Sequence, residues 1–266
     1  MRRRRFGIGS CFALLLLTSG VISCGGSYSA KNTTLYQPPA GNGGLAPSGA
    51  TTLANLQGHP WNTCGACGND GGAGAAANYS WTVGIGSPSE SGGSTQFAIA
   101  ATVPYTNAYF WQDNPVVESQ FAYLAYEFDV YIPNGMENLP QAFEFECQQR
   151  LDGWTYNFGW QANYQENTWR IFNYGTRQWD ESGLTFQRFS PGTWHHIVAE
   201  YHNDSSAKSV FHDALTVDGV RMPVNIRHDA VNTGASNEFS NAVQLDSNLH
   251  PDPYRVYVDN MKITYK

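Results

Sequence analysis

The residues best suited to chemistry lie in the stretch AFEFECQQ, residues 142–149, where apolar and polar side chains alternate. Because successive side chains of a β-strand point to opposite faces, Glu144, Glu146 and Gln148 are expected on one face. Two neighbouring carboxyl groups could serve as general acid and base, and carboxylates with amides could hydrogen-bond sugar hydroxyls. The same row could also be only the solvated side of a strand.

The next stretch, WTYNFGWQ at residues 154–161, alternates in the same way. If its strand neighbours the first one, Asn157 and Gln161 extend the polar row. The opposite face carries a stripe of four large aromatic side chains, which is predicted to belong to the core because a sandwich needs bulky inner faces. These four residues are Trp154, Tyr156, Phe158 and Trp160.

A sugar site also needs an aromatic surface, since an aromatic ring can stack on the apolar face of a pyranose. Trp179, in the turn-like stretch TRQWDES, is the best candidate, with Arg170 and Tyr174 on the preceding segment. The residues predicted to bind carbohydrate are therefore Glu144, Glu146, Gln148, Asn157, Gln161, Arg170, Tyr174 and Trp179.

Period-2 runs recur between turn signals, and no window of about 12 residues keeps a helical period. The run FAYLAYEFDVYIP, residues 121–133, is expected to pair with AFEFECQQ as a long-looped antiparallel hairpin. Further strands are predicted at 169–173, 184–189, 193–202, 209–217, 220–226, 242–245 and 254–265. More than eight strands in one domain predict an all-β fold, an antiparallel two-sheet jelly-roll sandwich. In the last strand the apolar phase slips, which predicts a β-bulge near Asp259 and Asn260.

Three segments of the second half resemble laminin G-like domains. PGTWHHIVA (191–199) resembles their WHHVA strand, LTVDG (215–219) a strand that ends in an Asp-Gly turn, and YVDNMKIT (257–264) their closing strand. The chain is therefore similar to the concanavalin A-like lectin/glucanase superfamily, laminin G-like branch, over roughly 100–266. By its length, 51–266 suits a single jelly-roll domain with an N-terminal Cys-x-x-Cys segment. Trp194 is expected in the core. Members of the family often bind calcium through Asp, so Asp259 is a candidate calcium ligand, although no cofactor is required.

Laminarinase-like glycosidases of that superfamily carry three acids on one strand, and Glu144 and Glu146 resemble the first two of them. The position of the third acid holds Gln148 or Gln149, whose amide cannot deliver a proton to a leaving oxygen. The resemblance therefore favours a lectin-like module that binds a polysaccharide without catalysis. Cleavage that uses Glu144 and Glu146 is the alternative, and a protein-binding adhesion module is a second one.

The chain opens with four arginines and a short apolar run, the layout of a secretory signal rather than of a membrane span. The end of that run, VISC, resembles a bacterial lipobox, so residues 1–23 are expected to be a lipoprotein signal peptide and Cys24 its lipidation site. The Gly-, Ser- and Pro-rich residues 24–50 then form a flexible tether. The protein is predicted to be anchored in the bacterial cell envelope through lipid alone, or secreted if the signal is an ordinary one.

The net charge of the chain argues against nucleic acid as a partner. Four of the 15 basic residues are Arg2–Arg5, and without them 11 oppose 22 acidic residues, a formal charge of −11. Such a chain lacks the basic cluster that nucleic acid requires.

In an exported protein, Cys64 and Cys67 are expected to form a small disulfide, with a redox motif or a zinc site as alternatives. Cys147 is then predicted to be buried.

Overall fold

The structure is a computed structural model that describes residues 46–65, 77–204 and 206–266. The predicted signal peptide, Cys24 and Cys67 lie outside these residues. Those described form sixteen strands and one 3-10 turn, Leu56–Gly58. The strands are β1 (Thr51–Leu53), β2 (Asn62–Gly65), β3 (Ala77–Ile85), β4 (Ser94–Ala101), β5 (Asn107–Asn114), β6 (Leu124–Tyr131), β7 (Pro140–Leu151), β8 (Gly153–Asn163), β9 (Thr168–Asn173), β10 (Gln178–Thr185), β11 (Trp194–Asp204), β12 (Ser209–Val217), β13 (Val220–Asp229), β14 (Val231–Ala235), β15 (Glu238–Ser247) and β16 (Tyr254–Tyr265).

The strands form two antiparallel sheets of eight strands each. Sheet 1 has the order β13-β12-β11-β6-β16-β4-β3, with β1 paired to β16. Sheet 2 has the order β10-β9-β8-β7-β15-β5-β2, with β14 paired to β8. The predicted all-β, antiparallel two-sheet sandwich is therefore confirmed. No helix in the described ranges is long and apolar enough to cross a membrane.

The core lies between the inner faces of the two sheets. Phe128 of β6 and Phe145 of β7 meet there edge to face, with ring centroids 5.0 Å apart. Both side chains are fully buried, and each contributes about 2–3 kcal/mol through the apolar area removed from water. The predicted core stripe of β8 is confirmed for its last three rings, whereas Trp154 is only partly buried. Cys147 is buried, as predicted.

The predicted hairpin between β6 and β7 is wrong. β6 pairs with β11 and β16 in sheet 1, and β7 pairs with β8 and β15 in sheet 2. Each strand buries one apolar face in the same core, so the two strands face each other across the core instead of sharing hydrogen bonds. The connection between them crosses from one sheet to the other.

Trp194 is partly exposed and does not lie in the core. It pairs with Tyr131 on the outer face of sheet 1, with ring centroids 5.3 Å apart. The inward position next to it belongs to His195, whose Nδ1 lies 2.7 Å from Asp218 Oδ2. Since strand neighbours alternate in direction, an inward His195 places Trp194 on the outer face.

Two features of the chain ends refine the predictions. Five strands, β1 to β5, lie before the first strand predicted from the sequence. In β16 the pairing shifts register between Asp259 and Lys262, and Asn260 has a φ of 50°, so the predicted bulge is confirmed. Residues 46–50 of the predicted tether form a turn, and Lys266 Nζ donates a hydrogen bond of 2.8 Å to the Ser48 carbonyl.

Candidate functional site

A ladder of cross-strand partners runs over the outer face of sheet 2. The register pairs Arg170 with Gln161, Gln161 with Glu144, Glu144 with Gln244, and Gln244 with Tyr109. Directly paired residues project from the same face of a sheet, so five strands present hydrogen-bonding groups side by side. The expectation that β8 extends the polar row of β7 is confirmed.

A second row on the same face, two residues further along each strand, combines aromatic and acidic groups. Trp179 of β10 pairs with Phe172 of β9, and their ring centroids are 5.0 Å apart. Glu146 of β7 pairs with Gly159 of β8. The segment around Trp179 is a strand rather than the predicted turn, and its place at the sheet edge brings this ring beside Phe172.

Several members of these rows line a groove of ≈ 280 Å³. Six of the eight predicted site residues line it, namely Glu144, Glu146, Gln148, Asn157, Tyr174 and Trp179. The other residues that line it are Tyr109, Phe145, Arg150, Phe172, Arg177, Ala242, Val243 and Gln244. Aromatic rings, amides, carboxyl groups and two guanidinium groups therefore surround one space.

Gln161 and Arg170 do not line the groove, unlike the prediction. Gln161 is buried, and its Nε2 donates a 2.6 Å hydrogen bond to Glu144 Oε1. Arg170 donates from Nε to Glu181 Oε1 at 2.6 Å and forms an ion pair with Glu166. Both side chains are engaged by neighbouring residues, so they support the groove rather than line it.

Glu146 is held on both of its carboxyl oxygens. Tyr109 Oη donates to Oε1 at 2.5 Å, and Asn157 Nδ2 donates to Oε2 at 2.7 Å. Burial raises the pKa of Glu146, although these two hydrogen bonds and the charge of Arg177 oppose the rise. Burial also raises the pKa of Tyr109 well above its usual range, so its hydroxyl keeps its proton and remains the donor.

Glu144 forms an acid pair with Asp246. Gln244 Nε2 bridges them, at 2.7 Å from Glu144 Oε2 and 2.9 Å from Asp246 Oδ1. Burial, with the nearby charge of Asp246, raises the pKa of Glu144 well above its usual range. Burial raises the pKa of Asp246 to about 6. Of the two acids, Glu144 is therefore the one that retains a proton shared by the pair, and it donates that proton in a hydrogen bond to Asp246.

This arrangement suits binding better than glycosidic cleavage. A retaining glycosidase needs an ionised nucleophile and an acid that flank the scissile bond. Here burial and the charge of Asp246 raise the pKa of Glu144, which disfavours its ionised form, and its two oxygens accept hydrogen bonds from Gln161 and Gln244. Glu146 projects from the same strand, roughly 6.6–6.8 Å further along, and so approaches a ligand from the same side.

Sequence reasoning missed Tyr109, Gln244 and Asp246, whose side chains contact Glu144 or Glu146. A signal for each of them was present. β5 (NAYFWQDN) and β15 (EFSNAVQLDS) both alternate, and each places a polar or aromatic residue opposite the core. β5 was not recognised as a strand, and for β15 only the central residues were recognised.

Asp259, the predicted calcium ligand, lies away from the groove and clamps the loop at 86–93. Its two oxygens accept six hydrogen bonds, from Gln57 Nε2, Ser89 Oγ, Ser91 Oγ and the amides of Glu90, Ser91 and Asn260. Burial would raise its pKa, but these donors outweigh burial and lower it. Protein donors therefore occupy the carboxylate, and no group of three or more His, Cys, Asp or Glu suited to a metal occurs among the described residues.

Of the two cysteines predicted to form a disulfide, only Cys64 lies among the described residues. Cys64 lies in β2, where it pairs with Tyr109 at the edge of sheet 2. Cys67 lies outside the described residues. The disulfide between them therefore stays a prediction.

No family model and no curated protein matches the chain. Among solved structures, it is similar to a carbohydrate esterase of Shiga toxin-encoding bacteriophage phi24B (14% identity, TM-score 0.49, 82% of this chain and 100% of that one). It is also similar to a carbohydrate-binding module of the β-sandwich superfamily (12%, 0.41, 77% of this chain) and spans 56% of that chain. A third is arcelin-5, a lectin-like defence protein of Phaseolus vulgaris (10%, 0.39, 77% and 98%). These similarities are too distant to identify a ligand, so the ligand is inferred from the groove itself.

Proposed function

We propose that the groove on sheet 2 binds a polysaccharide or oligosaccharide without cleaving it. The observation that carries this proposal is the placing of Trp179 and Phe172 beside the hydrogen-bonded row of Glu146 and Asn157. A sugar ring has apolar C–H faces and a rim of hydroxyls, so it needs stacking area and polar partners at once. Gln148 adds an amide, with a donor and an acceptor, to the same surface.

Binding without cleavage is favoured by the state of the two acids. The proton of Glu144 is directed to Asp246, and Glu146 is held by a phenol and an amide. Cleavage by this pair would require one of them to exchange its partners for the glycosidic oxygen. We therefore treat cleavage as an outcome of the test, together with binding to a protein partner.

We further propose that the protein is exported and tethered to a membrane of the bacterial cell envelope through a lipid on Cys24. The support is the arginine-led apolar run and the VISC motif. Expression of the whole chain in a bacterium, followed by detergent-phase partitioning, tests this. The natural chain should enter the detergent phase and the Cys24→Ser chain should not. Equal partitioning of the two would exclude the anchor.

The binding test uses the mature chain with Cys24→Ser, incubated with plant, fungal and bacterial polysaccharides. Both retention and new chain ends are measured. Trp179→Ala is expected to weaken binding roughly 5–30-fold, because an apolar sugar face of roughly 40–80 Å² contributes about 1–2 kcal/mol. Trp81→Ala is the matched control, since Trp81 is exposed on β3 in sheet 1.

Retention that Trp179→Ala weakens and Trp81→Ala leaves intact would support the proposal. New chain ends that disappear in Glu144→Gln would show an enzyme instead. If a folded chain retains no polysaccharide, the proposal fails, and cell-envelope proteins become the partners to test.

A further inference from the structure

We propose that one end of the groove binds the carboxylate of a uronic acid unit, so that the ligand of this protein is an acidic polysaccharide. This inference rests on the proposed function and adds a ligand class to it. It starts from two guanidinium groups, those of Arg150 and Arg177, which line the groove together with the amide of Gln148.

The outer face of β7 carries its polar groups in a fixed order. Glu144, Glu146, Gln148 and Arg150 are alternate residues of this strand, so they follow one another on one face at steps of roughly 6.6–6.8 Å. The two acids lie at one end of this row, and Arg150 lies about 13 Å along the strand from Glu146. A ligand anion above Gln148 is therefore next to the guanidinium group rather than to Glu144.

Arg177 brings a second positive charge from the turn between β9 and β10. Its Cζ lies 4.0 Å from the centroid of the Tyr174 ring, and both residues line the groove. The charge of Arg177 lowers the pKa of Glu146 against the effect of burial, so this charge acts on the groove floor. The proposal requires only the charge of Arg177, which reduces the repulsion between Glu146 and a ligand carboxylate.

Arg150 has hydrogen-bond donors for a carboxylate. Its Nη1 donates to Glu238 Oε2 at 2.7 Å, which uses one of the five N–H groups of the guanidinium. The Arg150 side chain is 34% exposed, so other N–H groups can be reached from the groove. A guanidinium can bind both oxygens of a carboxylate at once, and such charged hydrogen bonds are about twice as strong as those to a hydroxyl. This end of the groove therefore favours a uronate over a neutral sugar.

The stacking surface lies beside this end of the groove. Trp179 packs on Phe172, which lies in the same row as Glu146. Gln148 is in the next row, on the side of Arg150. The carboxylate of a uronate projects from the rim of its ring, so the ring can stack in one row while the carboxylate reaches the next.

The net charge of the chain opposes an acidic ligand mainly at long range. The formal net charge is −7 for the full chain. Exposed charges that are further apart than the Debye length, about 8 Å at physiological ionic strength, are largely screened from each other. Contacts within the groove therefore decide whether a uronate binds.

The first test changes the ligand only at its carboxylate. Homogalacturonan, alginate and glucuronoxylan are each offered to the mature Cys24→Ser chain before and after chemical reduction of their carboxyl groups to alcohols. At least one acidic polymer should bind roughly 10-fold or more tightly than its reduced form. Equal or tighter binding of every reduced form would overturn the inference and leave the proposed function standing. Tighter binding of dextran sulfate than of any uronate would also overturn it, because the anion site would then be one for sulfate.

The second test changes the protein. Arg150→Gln and Arg177→Gln are compared with Arg255→Gln, which alters the net charge equally but lies exposed on β16 in sheet 1. Each groove variant should weaken binding of the acidic polymer roughly 5–20-fold, and so lower the ratio of acidic to reduced affinity. Arg255→Gln should bind like the natural chain. Because the ion pair of Arg150 is partly exposed, the melting temperature should stay within about 5 °C.

Unchanged affinity in both groove variants would overturn the inference, and so would an equal loss in Arg255→Gln, which would indicate a general effect of charge. A loss that is the same for the acidic and the reduced polymer would show a structural role for the arginines and would overturn it as well. If the folded natural chain binds no polymer in either form, the proposed function fails together with this inference.

Discussion

Replacing Asp246 by Asn is expected to stabilise the protein increasingly as pH rises. Asp246 is 7% exposed, and burial raises its pKa from the ordinary 3.8 to about 6. Between those values the folded state binds more protons than the unfolded state. Stability contributed by this group is therefore present below about pH 4 and is lost as pH rises through about 6.

The magnitude follows from the two pKa values. A difference of this size corresponds to about 3 kcal/mol of stability lost between pH 4 and pH 7. Asn keeps an oxygen that accepts the Glu144 proton and the Gln244 hydrogen bond, but its added amide hydrogens need partners. The Asp246→Asn protein should therefore gain about 1–3 kcal/mol relative to the natural chain over that range.

Urea unfolding at pH 4, 5, 6 and 7 measures this change, with the exposed Asp252→Asn as the matched control. The quantity to follow is the difference in free energy of unfolding between variant and natural chain, because groups away from the Glu144–Asp246 pair titrate in both proteins alike. A difference that stays constant from pH 4 to pH 7, or that falls, would refute the buried acid pair. Asp252→Asn should show no such trend.

Three further predictions concern the Asp259 clamp, calcium and a buried histidine. Asp259→Ala removes the acceptor of six hydrogen bonds and should lower the free energy of unfolding by about 2–5 kcal/mol, measured in urea; a loss below about 1 kcal/mol would show that the loop at 86–93 needs no clamp. Because protein donors fill that carboxylate, added calcium should not shift the melting temperature of the natural chain. Burial, with the neighbouring His228, lowers the pKa of His212 well below its ordinary 6.5, so stability from this neutral ring is lost as pH falls below about 6.5. His212→Leu should therefore lose less stability than the natural chain between pH 7 and pH 5, and an equal loss in both proteins would contradict a neutral His212.

Much of the groove floor was predictable from sequence because the direction of a strand side chain depends on local backbone geometry. Alternation in 142–149 and 154–161 correctly assigned Phe145 to the core and Glu144 and Glu146 to the opposite face. The same rule was available for β5 and β15, where it was not applied. The prediction that Trp194 lies in the core was wrong because it followed the resemblance to laminin G-like strands instead of the strand register.

The neighbours of those side chains were decided only by the tertiary structure. Tyr109 and Asp246 reach the two acids from strands 37 and 102 positions away in the chain, and no short window contains that pairing. The same holds for β6 and β7, which are consecutive in sequence but lie in opposite sheets. The charge of each carboxyl group also depends on the side chains that pack against it. A carboxyl group written as Glu or Asp becomes a protonated donor, a loop clamp or a held acceptor according to the groups that burial brings against it, and those groups come from distant strands.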